Sequence, residues 1–79
     1  MKARVYVTLK KGVLDPQGRA VMGALNSMSF SEVEDVRIGK FMELELKGGS
    51  RAEEEARVRR MCEKLLANTV IENYRIEME

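Results

Sequence analysis

Apolar side chains in this chain recur with two different periods, and the order in which those periods alternate limits the folds open to it. From Lys2 to Lys10 the period is two. Ala3, Val5, Val7 and Leu9 fall on one side, and Lys2, Arg4, Tyr6, Thr8 and Lys10 on the other. Alternation of this kind, rich in β-branched residues, builds a half-buried strand. Lys10-Lys11-Gly12 ends it. Asp15-Pro16 then opens a helix, because an aspartate side chain caps free N–H groups and proline tolerates the first helical position, where its missing N–H has no partner. Ala20, Val21, Ala24, Leu25 and Met28 share one helical stripe, which fades between Asn26 and Ser29.

Period two returns at Val36 and Ile38 and, beyond Gly39-Lys40, at Met42, Leu44 and Leu46, which alternate with Glu43, Glu45 and Lys47. A two-residue turn at Gly39-Lys40 would set Val36 against Glu43. A three-residue turn sets Ile38 against Met42 and Val36 against Leu44, so the apolar faces predict the longer turn or an equivalent bulge, with Gly39 relieving the backbone. Gly48-Gly49 ends the strand, and Ser50-Arg51-Ala52-Glu53 reads as a capping box. Val58, Met61, Cys62, Leu65 and Leu66 supply the second helical stripe, with Glu53/Arg57 and Glu55/Arg59 at ion-pair spacing and a stop near Asn68. Tyr74, Ile76 and Met78 close the chain as a strand.

The predicted order is strand, helix, strand, strand, helix, strand. It points to an α+β, ferredoxin-like βαββαβ fold: a four-stranded antiparallel sheet with two helices on one face, formed as a single domain over residues 1–79. The other sheet face would carry Arg4, Tyr6, Thr8, Glu43, Glu45, Arg75 and Glu77. A chain of 79 residues buries only about 60% of its unfolded surface, so docking or self-association is expected to add burial.

Composition removes several functions. Lys and Arg number 14 against 13 Asp and Glu, without the basic excess of a nucleic-acid binder. No apolar run long enough to span a membrane occurs, and no secretory segment can be drawn, so a cytoplasmic setting is expected. Cys62 is the only cysteine and there is no histidine. An internal disulfide and a thiolate metal cluster are excluded, and the commonest general base is missing.

Three runs carry a family resemblance. They are Lys11-Gly12-Val13-Leu14-Asp15-Pro16-Gln17-Gly18 with Ala20-Val21 and Ala24-Leu25; Val36-Arg37-Ile38-Gly39-Lys40-Phe41; and Cys62-Glu63-Lys64-Leu65-Leu66-Ala67-Asn68 followed by Val70-Ile71-Glu72 and Tyr74. In this order and at this length they resemble the PurS family of phosphoribosylformylglycinamidine synthase subunits. Thr69 and Asn73 depart from it, standing where proline and aspartate are common in the family; the first weakens the helix stop. The resemblance implies a noncatalytic subunit that bridges the glutaminase PurQ and the synthetase PurL and assists ammonia transfer. It also implies a dimer or tetramer, and it places ATP and magnesium on the synthetase, with no cofactor on this chain.

For partner binding the candidate residues are Lys10, Lys11, Gly12, Asp15, Pro16, Gln17 and Gly18 in the first loop, and Arg37, Gly39 and Lys40 in the second. Exposed loops often carry binding groups, and Arg37 and Lys40 are placed to meet a partner's carboxylates. Local backbone geometry accounts for much of the same pattern, since Asp-Pro starts helices and Gly-Lys fits a hairpin better than a phosphate loop. The arginines among residues 51–60 are interleaved with glutamates and read as a solvated helix face. An ACT-like small-molecule-binding domain is the alternative on this topology. An RNA-binding sheet lacks enough aromatics beside Glu43 and Glu45, and an acylphosphatase-type site lacks its Arg loop and Asn.

Overall fold

The computed structural model describes all of residues 1–79. Its elements are β1 (Lys2–Leu9), α1 (Pro16–Ser27), β2 (Lys40–Glu45), α2 (Arg51–Met61), a π-helical turn at Cys62–Leu66, and β3 (Glu72–Met78). The sheet is antiparallel and has three strands in the order β2-β1-β3. Central β1 pairs Val5 with Met42 on one side and with Ile76 on the other. The inward positions are apolar through the middle of all three strands, and only at one end do Lys40, opposite Val7, and Glu72, opposite Leu9, bring charge to this face. Ala3, Val5 and Val7 are fully buried, and Val58 and Cys62 of the second helical region close over them. Burying one such side chain contributes about 1.5–3 kcal/mol.

Apart from Phe41, which packs on Tyr6 at 5.0 Å between ring centres, the outward face is polar and paired across the strands. Arg4 lies between Glu43 at 3.6 Å and Glu79 at 2.9 Å, and Lys2 reaches Glu43 and Glu45. Tyr6 donates to Glu77 at 3.0 Å, while the Arg75 guanidinium lies over the Tyr6 ring at 4.0 Å. Exposed pairs of this kind contribute little individually. Their alignment penalises a one-residue slip, which would turn these charges into the core.

Two expectations about the fold are corrected. The fourth strand is absent, because residues 36–39 are irregular and β2 pairs with β1 instead of with them. The backbone of this segment is engaged elsewhere: Asp15 accepts the Ile38 N–H at 2.8 Å. The three-residue hairpin that pairs Ile38 with Met42 consequently does not form. The second correction concerns α1, which does not pack on the sheet. No residue of α1 belongs to the core, and Gly18 is its only buried position. The sheet is covered by α2, leaning on β3, together with the π-turn and Ala67 that follow it. The molecule is correspondingly long, 50 × 24 × 14 Å, with a radius of gyration of 16.0 Å against about 12 Å for a compact chain of this length.

Local signals fared better. Asp15 caps α1 by accepting the Gly18 N–H, with Pro16 in the first turn, and the Ser50 hydroxyl caps α2 by accepting the Glu53 N–H at 3.1 Å. Glu55 and Arg59 pair at 3.8 Å, whereas Glu53 and Arg57 do not. The π-turn inserts an extra residue into the helical register, seen in the Ala67 N–H donated to the Cys62 carbonyl. That shift rotates Leu65 outward, to 82% exposed, while Cys62 stays in the core. Met61, placed on the same stripe, lies partly exposed at its edge. In place of the absent proline at Thr69, the stop is built by Asn68. Its N–H donates to the Glu72 carboxylate at 2.6 Å, and its carbonyl accepts from Ile71 and Glu72.

Candidate partner-binding site

The two candidate loops meet at the end of β1. Lys10 continues from β1 and donates its N–H to the Ile71 carbonyl at 2.8 Å. Gly12, at φ 91°, turns the chain through the left-handed region that favours glycine. The chain then reaches Asp15, whose buried carboxylate accepts from Gly18 and from Ile38, each at 2.8 Å. The Ile38 N–H first, then the Gly18 N–H, hold this carboxyl below its ordinary 3.8, against the opposing effect of burial. From the other side, Arg37 donates to the Val13 carbonyl at 2.9 Å and the Lys10 carbonyl at 3.2 Å.

Two glycines allow the close approach. A Cβ on Gly18 would overlap the Val36 carbonyl oxygen, and a Cβ on Gly39 would overlap that of Val7. Gly39 therefore serves backbone contact with β1, which replaces its predicted part in a hairpin. Arg37 is exposed and engages its own chain's carbonyls through one terminal guanidinium nitrogen. Lys40 faces Glu72 at 3.8 Å.

Thus the structure brings Lys10, Asp15, Gly18, Arg37, Gly39 and Lys40 into one stitched junction. Lys11, Pro16 and Gln17 lie exposed around it, and Gly12 stands in open space. Two clefts flank the junction. One of about 300 Å³ runs past Pro16, Gln17, Lys40 and Glu72; the other, of about 260 Å³, lies between Gly12, Leu14, Arg19 and Asp35. Leu14, 62% exposed, and Glu72 were not among the candidates. Leu14 falls outside both periodic stripes, and only the fold brings Glu72 beside Lys40.

The titratable groups elsewhere are occupied with structure. Burial, then Glu63, pushes the Cys62 thiol above its ordinary 9.0 inside the core. The nearby Glu63 carboxylate raises Tyr74 above its ordinary 10.0, and Arg75, then Tyr6, lowers Glu77. No three His, Cys, Asp or Glu side chains are gathered to hold a metal. No helix is long and apolar enough to cross a membrane.

The geometry defines a small α+β module that displays its loops on a braced junction beside a paired outer sheet face. Comparison with known proteins identifies which one. Residues 2–79 match the family described as PurS, phosphoribosylformylglycinamidine (FGAM) synthase. The PurS subunit of Bacillus subtilis is 60% identical over 78 residues, covering 99% of this chain and 92% of that protein; the Methanocaldococcus jannaschii subunit is 42% identical, covering 99% and 94%. The solved B. subtilis PurS structure superposes with a TM-score of 0.88 over 99% of this chain and 96% of that one. A chain of the Thermotoga maritima PurLQS structure does so with 0.88 at 29% identity, over 96% and 93%. The chain belongs to the PurS family: it is a noncatalytic subunit of FGAM synthase, a ligase of purine biosynthesis. That membership decides against the ACT-like alternative.

Proposed function

We propose that this chain joins the glutaminase PurQ to the synthetase PurL and assists the passage of ammonia between them. Glutamine hydrolysis on one subunit and ATP-dependent amidine formation on the other require a route that keeps ammonia from escaping, and a rigid adaptor shortens that route. ATP and magnesium belong to the synthetase, and the complex works in the cytoplasm as a homo-oligomer of this chain with its two partners. The observation that carries the reading is the junction of residues 10–18 with 36–40. Its backbone is held by Asp15 and Arg37, so Lys11, Gln17 and Leu14 are displayed on a fixed frame. A pre-ordered loop loses little entropy on docking. The Thermotoga maritima relative occurs in a PurLQS structure, in line with this use.

The test is sedimentation of the chain with purified PurL and PurQ. All three should migrate together, and Lys11→Glu with Gln17→Ala should weaken the complex at least tenfold while leaving the circular dichroism of the free chain unchanged. Failure of the unaltered chain to migrate with either subunit would rule the reading out.

A further inference from the structure

An adaptor that holds two subunits needs two surfaces, and the junction of residues 10–18 with 36–40 supplies one. Charge is left over at another place. On the outer sheet face every cation has a carboxylate: Lys2 and Arg4 reach Glu43, and Arg75 reaches Glu77. On α2, Arg59 pairs with Glu55 at 3.8 Å. Arg57, Arg60 and Lys64 differ, since none of them lies within 4.0 Å of a carboxylate oxygen. They follow one another at three and four residues and share one flank of the helical region over about 10 Å. Met61, 37% exposed, sits among them. These four residues border an open groove of about 360 Å³, the largest of the molecule's clefts, and no carboxylate lines it. Each of the other three clefts carries an acidic side chain: Glu72, Asp15 with Glu72, or Asp15 with Asp35.

Like charges at this spacing repel one another along a helix. The negative end of a helix attracts cations only within its last turn, and Arg57 lies before that turn. Folding alone therefore gives no reason to gather three cations around an exposed methionine in a chain whose net charge is only +1. We propose that this flank of α2 is a second docking surface, which receives an acidic helix of a partner subunit. The inference rests on the adaptor reading and adds to it a separate surface and the chemistry of what that surface takes. Carboxylates at i, i+3 or i+4, and i+7 of a helix repeat with the same rise as residues 57, 60 and 64, so two helices lying side by side set three opposed pairs. The two guanidinium groups can each hold a carboxylate by two bonds, and the unbranched Met61 side chain fills the apolar contact between them. Phosphate fits less well: phosphate sites use converging backbone N–H groups at a helix start, and the middle of α2 has its N–H groups bonded within the helix.

Arg60→Gln with Lys64→Gln in the full chain tests the surface, with sedimentation against PurL and PurQ separately at low and at high salt. Both side chains are exposed, so the circular dichroism of the free chain should not change. Affinity for one subunit should fall at least tenfold and lose most of its salt dependence, while affinity for the other is kept. Lys11→Glu with Gln17→Ala should show the opposite selectivity. An unaltered chain that binds neither subunit would end the adaptor reading and this inference with it. Binding to both subunits that survives Arg60→Gln with Lys64→Gln would end the inference alone. So would a loss confined to the subunit that the junction variant also loses, because the two surfaces would then be one. A shift seen only in the chain's association with itself would give the flank to a second copy and overturn the proposal. If ATP or inorganic phosphate bound the unaltered free chain and not the variant, the groove would be a phosphate site and the acidic helix would be wrong.

Discussion

Alanine in place of Gly18 and of Gly23 separates two opposing effects within one helix. Both glycines lie in α1, and in a helix interior alanine is favoured over glycine by about 0.5–1 kcal/mol because glycine loses more backbone freedom on folding. At Gly23 a Cβ meets nothing within 4 Å, so the propensity gain should appear undiminished. At Gly18 the added Cβ would overlap the Val36 carbonyl oxygen and press on the Asp15 carboxylate. Neither neighbour yields easily, since the Val36 backbone leads into the bond between Ile38 and Asp15. Forcing an extra carbon into so close a contact costs about 1–3 kcal/mol. Subtracting the helical gain leaves a net loss of about 1–2 kcal/mol. For a domain of this size each kcal/mol moves the melting midpoint by about 4–8 °C. Gly23→Ala should melt about 2–8 °C above the unaltered chain and Gly18→Ala about 4–16 °C below it, compared at one protein concentration because self-association feeds into the midpoint. Urea titration gives the same ordering. If Gly18→Ala were stabilised in step with Gly23→Ala, the close approach of α1 to residue 36 would not exist in solution, and the argument for a fixed junction would fail with it.

Other outcomes follow from the same contacts. Val58→Ala removes two methyl groups from a fully buried site and should cost about 2 kcal/mol in urea denaturation, without changing the denaturant slope. Arg37→Lys replaces the terminal guanidinium nitrogen that donates to both the Lys10 and Val13 carbonyls with an ammonium on a shorter, flexible stem, so hydrogen exchange at the Val13 amide should quicken while β1 amides keep their protection. On the acid side, Asp15 and Glu77 are held below their ordinary 3.8 and 4.5. The stability they contribute is complete above those values and is lost as pH falls through the lowered ones, so melting points should be flat near neutrality and drop in acid, and Asp15→Asn should blunt that drop. On the alkaline side, Cys62 and Tyr74 are raised above 9.0 and 10.0. Their contribution is whole below those values and disappears as pH climbs through the raised ones, so thiol labelling of the native chain should stay slow near pH 8 and quicken as the fold loosens above pH 10.

The parts of the fold legible from the residues are those that local chemistry decides. Alternation in 2–10 and 72–79 reports which side chains meet the core, and Asp15-Pro16 and Ser50 announce helix starts through the N–H groups they satisfy. Val36 and Ile38 misled because their alternation is real while their backbone bonds go elsewhere: the Ile38 N–H to a carboxylate 23 residues away, a pairing that no local period encodes. The position of α1 misled for a related reason. An apolar stripe says that a helix must be covered, and it is silent on whether the cover belongs to the same chain. In the site, the proposed loop residues converge, and Arg37 and Gly39, both exposed, also make contacts within the chain that the sequence does not announce. Leu65 was lost to a single inserted residue in the π-turn, whose only trace is the Cys62-to-Ala67 bond.

Turnover tests the account most directly. PurL and PurQ are assayed for FGAM formation with glutamine and, separately, with ammonium chloride as nitrogen donor, while this chain is titrated in. Glutamine-dependent turnover should rise from near zero and saturate at a fixed ratio of subunits, whereas ammonia-dependent turnover by PurL should change little. Full glutamine-dependent rates before any of this chain is added would contradict its role as the adaptor.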